Sequence, residues 1–319
     1  MNKLSLEDAF TSYFHNKYSF SDFLNLDIDS QYTEIFYSKD TFSPSKKLKH
    51  FQQFLNIFIF DLMQVNTDVV FSYRKGVSTV DAIYPHKNSK NIYTTDIKAF
   101  FSHINIETLK KLILQNKNNF LINESDILTY IDTIITLVTY NNVLPIGAPT
   151  SPKISNAYLF QFDNKIQSYC EAKNIQYTRY SDDFIFSSND VKLFSDLEIT
   201  IKNEFIKLGF KEFHLNTKKT KIQKLGSKMT LLGLVIIPNG RITIDRKIKN
   251  EIEALLHFYL TDKEKFKDIF EKKYASNIEK VSGVLSHINS IDTTYISKLK
   301  KKYGSYIINS FIHRDILDD

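Results

Sequence analysis

Residues 177–186 read YTRYSDDFIF, an apolar, β-branched and aromatic run that two adjacent carboxylates, Asp182 and Asp183, interrupt at its centre. Residues of these types favour strands, so the run predicts a β-hairpin that carries both carboxylates at its tip. Two like charges this close raise each other's pKa unless a cation lies between them, and oxygen ligands select a hard cation such as Mg²⁺. The sequence therefore predicts a metal site at this hairpin.

A third acidic residue, Asp96, ends another strand-like run, IYTTDI at residues 92–97. Three carboxylates on two neighbouring strands would suit a two-metal site for phosphoryl transfer. This combination indicates a nucleotide polymerase.

The composition is that of a folded protein with a polyanionic partner. A chain of 319 residues with 42% hydrophobic content can build one to three connected subdomains. The net charge is +6 and the pI is about 9.0, and most of the excess comes from Lys, which binds phosphates as a point charge. We therefore expect contacts with a nucleic acid backbone, although lysines that only solvate the surface would give the same composition.

Targeting and redox signals are few. The single cysteine, Cys170, excludes an intramolecular disulfide framework and a Cys-rich zinc site, and we expect it to be a small core residue. The first eight residues lack the apolar segment of a signal peptide, and no run reaches the roughly 18 apolar residues that span a bilayer. We expect a reduced, soluble, cytoplasmic protein with no membrane partner.

The first half of the chain predicts helices around the Asp96 strand. Residues 45–64 have helical spacing and begin at Ser45 as a possible cap, and residues 105–140 are helical and apolar. A stiff loop at residues 144–150 then leads to a helix with Ser151 as N-cap and Pro152 at its first position.

The second half alternates hairpins and helices. After the Asp182 hairpin, residues 194–208 predict a helix that Gly209 ends. Asn239 and Gly240 form a type I′ turn signal between two strands, and a Lys-rich helical region begins at Lys247. The layout is α+β.

Seven motifs follow one another along this chain. They are PSKKLKHFQ at 44–52, SYRKGVS at 72–78, DIKAFF at 96–101, LPIGAPTSP at 144–152 with SN at 155–156, YSDD at 180–183, NTKKT at 216–220 and LLGL at 231–234. In this order they resemble bacterial reverse transcriptases of the retron and abortive-infection type, which act in phage defence. The resemblance extends from about residue 36 to about residue 300.

The resemblance implies an α+β right-hand polymerase. Its fingers would be residues 1–92 and 104–150, its palm residues 93–103 and 151–245 with an antiparallel sheet and a primer-grip hairpin, and its helical thumb residues 246–319. Asp96, Asp182 and Asp183 would form the catalytic triad and bind two Mg²⁺ ions, or Mn²⁺ in their place, with the Ile97 carbonyl as a further ligand.

The resemblance also implies a nucleotide site. Phe101 would lie under the incoming sugar and select deoxynucleotides, while Lys39 and Arg74 would hold the triphosphate. Lys219 would protonate the leaving pyrophosphate, with Lys218 and Lys221 as competitors for this role.

Two further segments complete the implied site. One supports the nucleotide and the template base, and the other grips the primer. Their residues are Ile146, Gly147, Ala148, Pro149 and Ser151 for the first, and Leu232, Gly233 and Leu234 for the second.

The chain departs from the family pattern in three places. Ile146 stands where relatives commonly carry Gln, which removes a hydrogen bond near the nucleotide sugar. The Asn-Ala-x-x-His element of retrons has only Asp81-Ala82 and a later His86 as its counterpart, and residues 231–233 read LLG instead of Val-Thr-Gly. These departures favour a defence-associated reverse transcriptase outside the best-defined retrons, with a retron enzyme as the second candidate.

The function implied is an RNA-directed DNA polymerase that makes DNA from dNTPs on a dedicated structured non-coding RNA. That RNA would be the template and also a candidate primer, and an effector or a second reverse transcriptase protein would be a further partner. One alternative is a polymerase of the same fold that makes untemplated, repetitive or protein-primed DNA. Another is an RNA-binding scaffold of a defence complex whose active site is dispensable.

Overall fold

A computed structural model describes residues 3–35, 41–224, 226, 228–275 and 277–314. The chain divides into two compact units. The first consists of Met1–Ala82 and Lys90–Ile222, and the second of Ile83–Ser89 and Gln223–Asp319.

The first unit contains the sheet that carries the acidic residues. The strands of this unit are β1 (Tyr32–Glu34), β2 (Phe42–Pro44), β3 (Asn91–Asp96), β4 (Gln176–Tyr180) and β5 (Asp183–Ser188). A sixth strand, β6 (Lys221–Lys224), begins where the unit ends. Strands β1 and β2 form a separate pair, and the others form a sheet in the order β4-β5-β3-β6. Both β4 and β3 pair with β5 in the antiparallel direction.

Nine helices begin in this part of the described chain. They are α1 (Leu6–Phe14), α2 (Phe20–Leu24), α3 (Lys46–Phe58), α4 (Thr79–Ile83), α5 (Ile106–Asn116), α6 (Glu124–Val138), α7 (Ser151–Tyr158), α8 (Phe160–Ala172) and α9 (Leu197–Lys207). Helix α8 packs against α9 and β4, and α6 packs against α3 and α5. Helix α8 thus packs against the sheet that carries the acidic residues.

Several predicted helical spans were wrong. The helical region predicted at 105–140 is divided into α5 and α6, and the helix predicted at 194–208 begins at Leu197. Helix α3 begins after Ser45, whose hydroxyl accepts from the Leu48 N–H at 3.2 Å, but it ends at Phe58 because Ile59 leaves the helical conformation (φ −132°, ψ −67°). Ser151 is the first residue of α7 and not its cap, which is Thr150. The Ser151 hydroxyl instead donates to the Pro145 carbonyl at 2.7 Å and holds the preceding loop.

Aromatic side chains near the N-terminus belong to the core of the first unit. Phe10 and Phe23 are fully buried, and the Phe10 ring lies 5.5 Å from the rings of both Phe51 and Phe54. Cys170 is also buried, as predicted, and burial raises the pKa of its thiol to about 12. Helices α1 and α2 are therefore bound to α3 by ring packing.

The second unit combines a three-stranded sheet with helices. Its elements are β7 (Met229–Leu231), β8 (Leu234–Ile236), β9 (Ile242–Ile244), α10 (Arg246–Thr261), α11 (Lys263–Tyr274), α12 (Ile278–Ile291), α13 (Thr293–Tyr303) and α14 (Ser305–His313). The buried Asp292 carboxylate accepts from Arg241 at 2.6 Å, from the Thr243 hydroxyl and from the Tyr295 N–H at 3.0 Å. One carboxylate thereby joins β9 to the start of α13.

The type I′ turn predicted at Asn239 and Gly240 was wrong. Only Gly240 of the two has a positive φ (78°), and its N–H donates to the Ile237 carbonyl at 2.8 Å. Pro238 fixes its own φ near −65°, which suits the first central position of a type I turn. Gly240 then follows that turn as the residue with a left-handed conformation, as in three-residue hairpin loops. Among the described residues of the second unit, Leu232 (48°) and Gly233 (80°), between β7 and β8, are two consecutive residues that both have a positive φ.

Among the residues that the structure describes, no helix is long and apolar enough to cross a lipid bilayer.

A fully buried ion pair lies beneath the Asp182 hairpin. Asp163 of α8 accepts from Arg179 of β4 through both of its oxygens, at 2.8 Å and 2.6 Å, and Arg179 and Asp163 are both 0% exposed. The Tyr177 hydroxyl donates to the same carboxylate at 2.9 Å. Because both charges are desolvated, removal of one leaves the other without compensation.

We predict that Asp163→Asn lowers the free energy of unfolding by about 3–5 kcal/mol, because Arg179 stays buried without a counterion. Urea denaturation followed by circular dichroism measures this. The matched control is Asp132→Asn, which breaks the Lys110–Asp132 pair of 2.6 Å at a carboxylate that is 85% exposed. That change should cost less than about 1 kcal/mol. Equal losses in the two variants would contradict the prediction.

Candidate active site

The register of the sheet brings the three acidic residues together. Asp96, the last residue of β3, pairs with Asp183, the first residue of β5. Asp182 precedes Asp183 in the β4–β5 turn, and its carbonyl accepts from the Ile97 N–H at 3.2 Å. Asp96 therefore lies next to Asp182 and Asp183 in the sheet although it is 86 residues from Asp182 in the sequence.

The turn that presents Asp182 has an unusual backbone conformation. Ser181 has φ +58°, in the left-handed region that non-glycine residues rarely adopt. Its N–H donates to the Ser72 hydroxyl at 2.8 Å, and its carbonyl accepts from Arg179 at 2.8 Å. Hydrogen bonds on both sides thus hold the residue before Asp182.

Burial and mutual repulsion raise the pKa values of the two turn carboxyls. The pKa of Asp183 rises to about 6, first because of burial and then because of the charges of Asp182 and Asp96. The pKa of Asp182 rises chiefly through burial, with a contribution from Asp96. Without a cation, burial and mutual repulsion therefore make ionisation of these carboxyls less favourable than in water.

Asp96 is almost fully buried, at 3% exposure, and its two oxygens differ in their partners. Oδ2 accepts from Lys219 at 2.9 Å and from the Asn216 amide at 3.4 Å. Oδ1 is buried and has no hydrogen-bond partner. The bond to Asp96 is the main cause that raises the pKa of Lys219, so this lysine is protonated at neutral pH.

These features fit a bound divalent cation. A buried carboxylate oxygen without a partner and two neighbouring carboxyls with raised pKa values form an oxygen-only donor set, which suits a hard ion. Within the described part of the chain, however, no three acidic, His or Cys side chains are already gathered into a formed metal cluster. The structure thus shows the donors on adjacent positions and Lys219 as the cation in contact with Asp96.

Of the three residues expected to bind the triphosphate and the sugar, the structure describes Arg74 and Phe101. Lys39 lies outside the described residues. Arg74 donates to the carbonyls of Thr67, at 2.7 Å, and Val70. Phe101 is half-buried, and the centre of its ring lies 5.4 Å from that of Phe100.

The loop expected to support the nucleotide is fixed to β2. The Phe42 N–H donates to the Ile146 carbonyl at 2.9 Å, and Gly147 has φ +109°. A Cβ at Gly147 would lie 2.3 Å from the Phe42 carbonyl oxygen, so only glycine fits there. Ala148 is buried and the Pro149 carbonyl accepts from the Asn56 amide at 2.9 Å, whereas the Ile146 side chain is 40% exposed.

The segment expected to grip the primer lies in the second unit. Leu232 and Gly233 form the turn between β7 and β8, and Leu234 is the first residue of β8 and is buried. A Cβ at Gly233 would meet no atom within 4 Å, so the glycine is required for its φ of +80° and not for space.

Sequence reasoning missed the polar residues that support the turn, namely Ser72, Asn156, Asp163 and Arg179. All four are at most 2% exposed. A signal was present, because Arg179 interrupts a run of strand-forming residues and Asp163 lies beside Phe162 on the apolar helix. Charged residues are almost never fully buried unless paired, so two such positions could have been matched to each other.

Comparisons with known proteins agree with this geometry. Residues 43–236 match the family described as reverse transcriptase (RNA-dependent DNA polymerase). The chain is 30% identical to the retron Ec86 reverse transcriptase of Escherichia coli over 275 residues, which cover 83% of this chain and 78% of that protein. It is 29% identical to the retron Ec73 reverse transcriptase of the same species, over 82% of this chain and 81% of the relative.

A solved structure shows the same fold. The apo telomerase of Candida tropicalis superposes with a TM-score of 0.50 at 16% identity, over 84% of this chain. The chain spans about half of the telomerase chain, 52% of its length. The helices and antiparallel sheets form a right-hand polymerase fold, and enzymes with this domain generally use divalent metal ions. The chain belongs to the reverse transcriptase family and is an RNA-directed DNA polymerase of the kind found in retrons.

Proposed function

We propose that this enzyme copies a dedicated structured non-coding RNA into DNA in antiphage defence, with Asp96, Asp182 and Asp183 as its catalytic carboxylates. The observation that carries the proposal is the pairing of Asp96 with Asp183 across β3 and β5, one residue from Asp182. The similarity to retron reverse transcriptases supports an RNA template. That this RNA is dedicated and structured, and that it is also a candidate primer, belongs to the proposal. An effector or a second reverse transcriptase protein would complete the defence system.

Two Mg²⁺ ions, or Mn²⁺ in their place, would be held by Asp96, Asp182, Asp183 and the Ile97 carbonyl. When bound, they would activate the primer hydroxyl and neutralise charge that develops on the triphosphate. The unpartnered Asp96 Oδ1 and the raised pKa values of Asp182 and Asp183 are the features of this chain that a cation would relieve.

Lys219 would donate a proton to the leaving pyrophosphate. Its Nζ is within hydrogen-bond distance of Asp96, its side chain is 65% exposed, and its raised pKa keeps it protonated until the bond to Asp96 is exchanged. In this role Lys219 would exchange its bond with Asp96 for one with the nucleotide.

The remaining residues would bind the nucleotide and the primer. Phe101 would exclude a 2′-hydroxyl, and Lys39 and Arg74 would contact the triphosphate. Arg74 binds the Thr67 and Val70 carbonyls through Nη1, and its Nε and Nη2 would contact the phosphates. The loop with Ile146, Gly147, Ala148, Pro149 and Ser151 would support the base, and Leu232, Gly233 and Leu234 the primer end. Fingers at 1–92 and 104–150, palm at 93–103 and 151–245, and thumb at 246–319 are the corresponding domain assignment.

The proposal predicts DNA synthesis on a co-purified RNA. Enzyme purified with its RNA, given dNTPs and Mg²⁺, should make DNase-sensitive product whose sequence is the complement of that RNA. Asp182→Asn and Asp183→Asn should each lower the rate by about 100-fold or more, because a neutral amide is a poor ligand for a hard cation. Asp196→Asn, at an exposed carboxylate of the same unit, is the control and should leave the rate unchanged.

The products separate the alternatives. Untemplated or repetitive DNA would support the same-fold polymerase that works without a dedicated template. Full phage protection by the Asp182→Asn, Asp183→Asn double variant would support the scaffold and refute an essential polymerase.

We predict that Lys219→Ala lowers kcat by about 100-fold, the typical loss of a general acid, while KM for dNTP changes little. Single-turnover kinetics measure this. Lys218→Ala and Lys221→Ala are matched controls, since both lysines flank the same turn, and neither should lower kcat by more than about threefold. A larger loss at Lys218 or Lys221 than at Lys219 would move the general acid to that residue.

We also predict that Mg²⁺ binding to the nucleotide-free enzyme releases protons near pH 6. The pKa of Asp183 is about 6 without metal, and the ion binds the ionised carboxylate, so affinity should rise as the pH rises through 6. Calorimetry in two buffers of different ionisation enthalpy should show proton release at pH 6 and almost none at pH 8. Asp183→Asn should abolish the release, and release that persists in this variant would contradict the assignment.

A further inference from the structure

We propose that Ser72, Asn156 and the Asp163–Arg179 pair are positioning residues for Asp182. They would act by holding Ser181 in its left-handed conformation. The inference rests on the proposed function, in which Asp182 binds the catalytic metal.

Backbone pairing brings Ser72 to the turn. The Arg179 N–H donates to the Val69 carbonyl at 2.7 Å, and the Phe71 N–H donates to the Arg179 carbonyl at 3.0 Å. This short pairing along the outer edge of β4 sets Ser72 beside Ser181. The SYRKGVS motif thereby reaches the YSDD motif across about one hundred residues of sequence.

Every polar group of Ser181 has a partner. Its N–H is bound by the Ser72 hydroxyl and its carbonyl by Arg179, both at 2.8 Å, and its hydroxyl lies 2.9 Å from the Tyr73 hydroxyl. A left-handed residue other than glycine is strained and persists only where its surroundings over-determine it. These three contacts hold Ser181 in its left-handed conformation.

A second layer fixes the residues that hold Ser181. The Ser72 hydroxyl donates to the Asn156 side-chain oxygen at 3.1 Å, and the Asn156 amide donates back to the Ser72 carbonyl at 2.8 Å. Arg179 also donates to Asn156, at 3.2 Å, and Asp163 fixes the opposite edge of the guanidinium. One buried network therefore extends from α8 to the backbone of the residue before Asp182.

The chemistry explains why charge is used here. A guanidinium has five donors in a fixed plane, so Arg179 can bind Asp163, Asn156 and the Ser181 carbonyl at the same time. An apolar core would pack the strand equally well but could not bind the carbonyl of a strained turn. The network thus orients a carboxylate, which plain packing would not do.

The test uses Ser72→Ala, which removes one hydroxyl and leaves the Ser181 N–H unbound. The matched control is Ser188→Ala, at the other end of β5, where a buried serine hydroxyl also accepts a backbone N–H, that of Asp190 at 3.2 Å. If Ser72 positions Asp182, its loss should lower kcat by about 10- to 100-fold and raise the Mg²⁺ concentration for half-maximal activity, with KM for dNTP little changed. The melting temperatures of Ser188→Ala and Ser72→Ala should agree within a few degrees. The kinetic constants of Ser188→Ala should equal those of the wild-type enzyme.

Tyr73→Phe is a second variant for the case that Ser72→Ala does not fold. It removes only the hydroxyl that faces Ser181 on a half-exposed ring, and it should lower kcat by about 3- to 10-fold with an unchanged melting temperature. Kinetics and Mg²⁺ dependence of both variants that match those of Ser188→Ala would overturn the positioning role. Wild-type enzyme that makes no DNA would instead overturn the proposed function, so the two failures are distinguishable.

Discussion

The antiparallel pairing of β3 with β5 forces two carboxylates to face each other. Because Asp96 ends one strand and Asp183 begins the other, neither can move away without a change of register that would transfer every side chain of the strand to the opposite face. The apolar residues on both strands fix that register by their burial. Hydrophobic packing thus holds together charges that repel each other, and a cation bound as proposed would relieve that repulsion.

The first unit contains two clusters of buried or half-buried charges, the Asp163–Arg179 pair and the three carboxylates Asp96, Asp182 and Asp183. The two clusters differ in how their charges are neutralised. Asp163 and Arg179 are neutralised within the chain by a bidentate pair, and they act on other residues only through hydrogen bonds. Among the residues that the structure describes, Asp182 and Asp183 form no ion pair, and Lys219 pairs with Asp96. In the proposed function, the Asp163–Arg179 pair would hold the turn in place, while Asp96 would exchange Lys219 for metal.

Sequence reasoning found the elements whose signals are local and missed those that depend on tertiary contacts. The hairpin of Asp182 and the strand of Asp96 follow from strand-forming residues around isolated acids, and their pairing follows from the order of the motifs. The prediction of Ser151 as a cap was wrong because its hydroxyl donates to the carbonyl of Pro145, six residues earlier. The prediction of a type I′ turn at Asn239 and Gly240 was wrong because Pro238 favours a type I turn that begins one residue earlier. Arg179 and Asp163 each interrupt an apolar run in the sequence, but only the packing of α8 against β4 shows that they form a pair.

The central claim is that Asp96, Asp182 and Asp183 form one metal site. Anomalous diffraction from crystals soaked in Mn²⁺ with a dNTP and primer–template tests it most directly. The account predicts two manganese peaks about 3.5–4 Å apart, with oxygens of all three aspartates among their ligands. Peaks that lie elsewhere, or an Asp96 carboxylate that stays bound to Lys219 while the metals bind without it, would contradict the account.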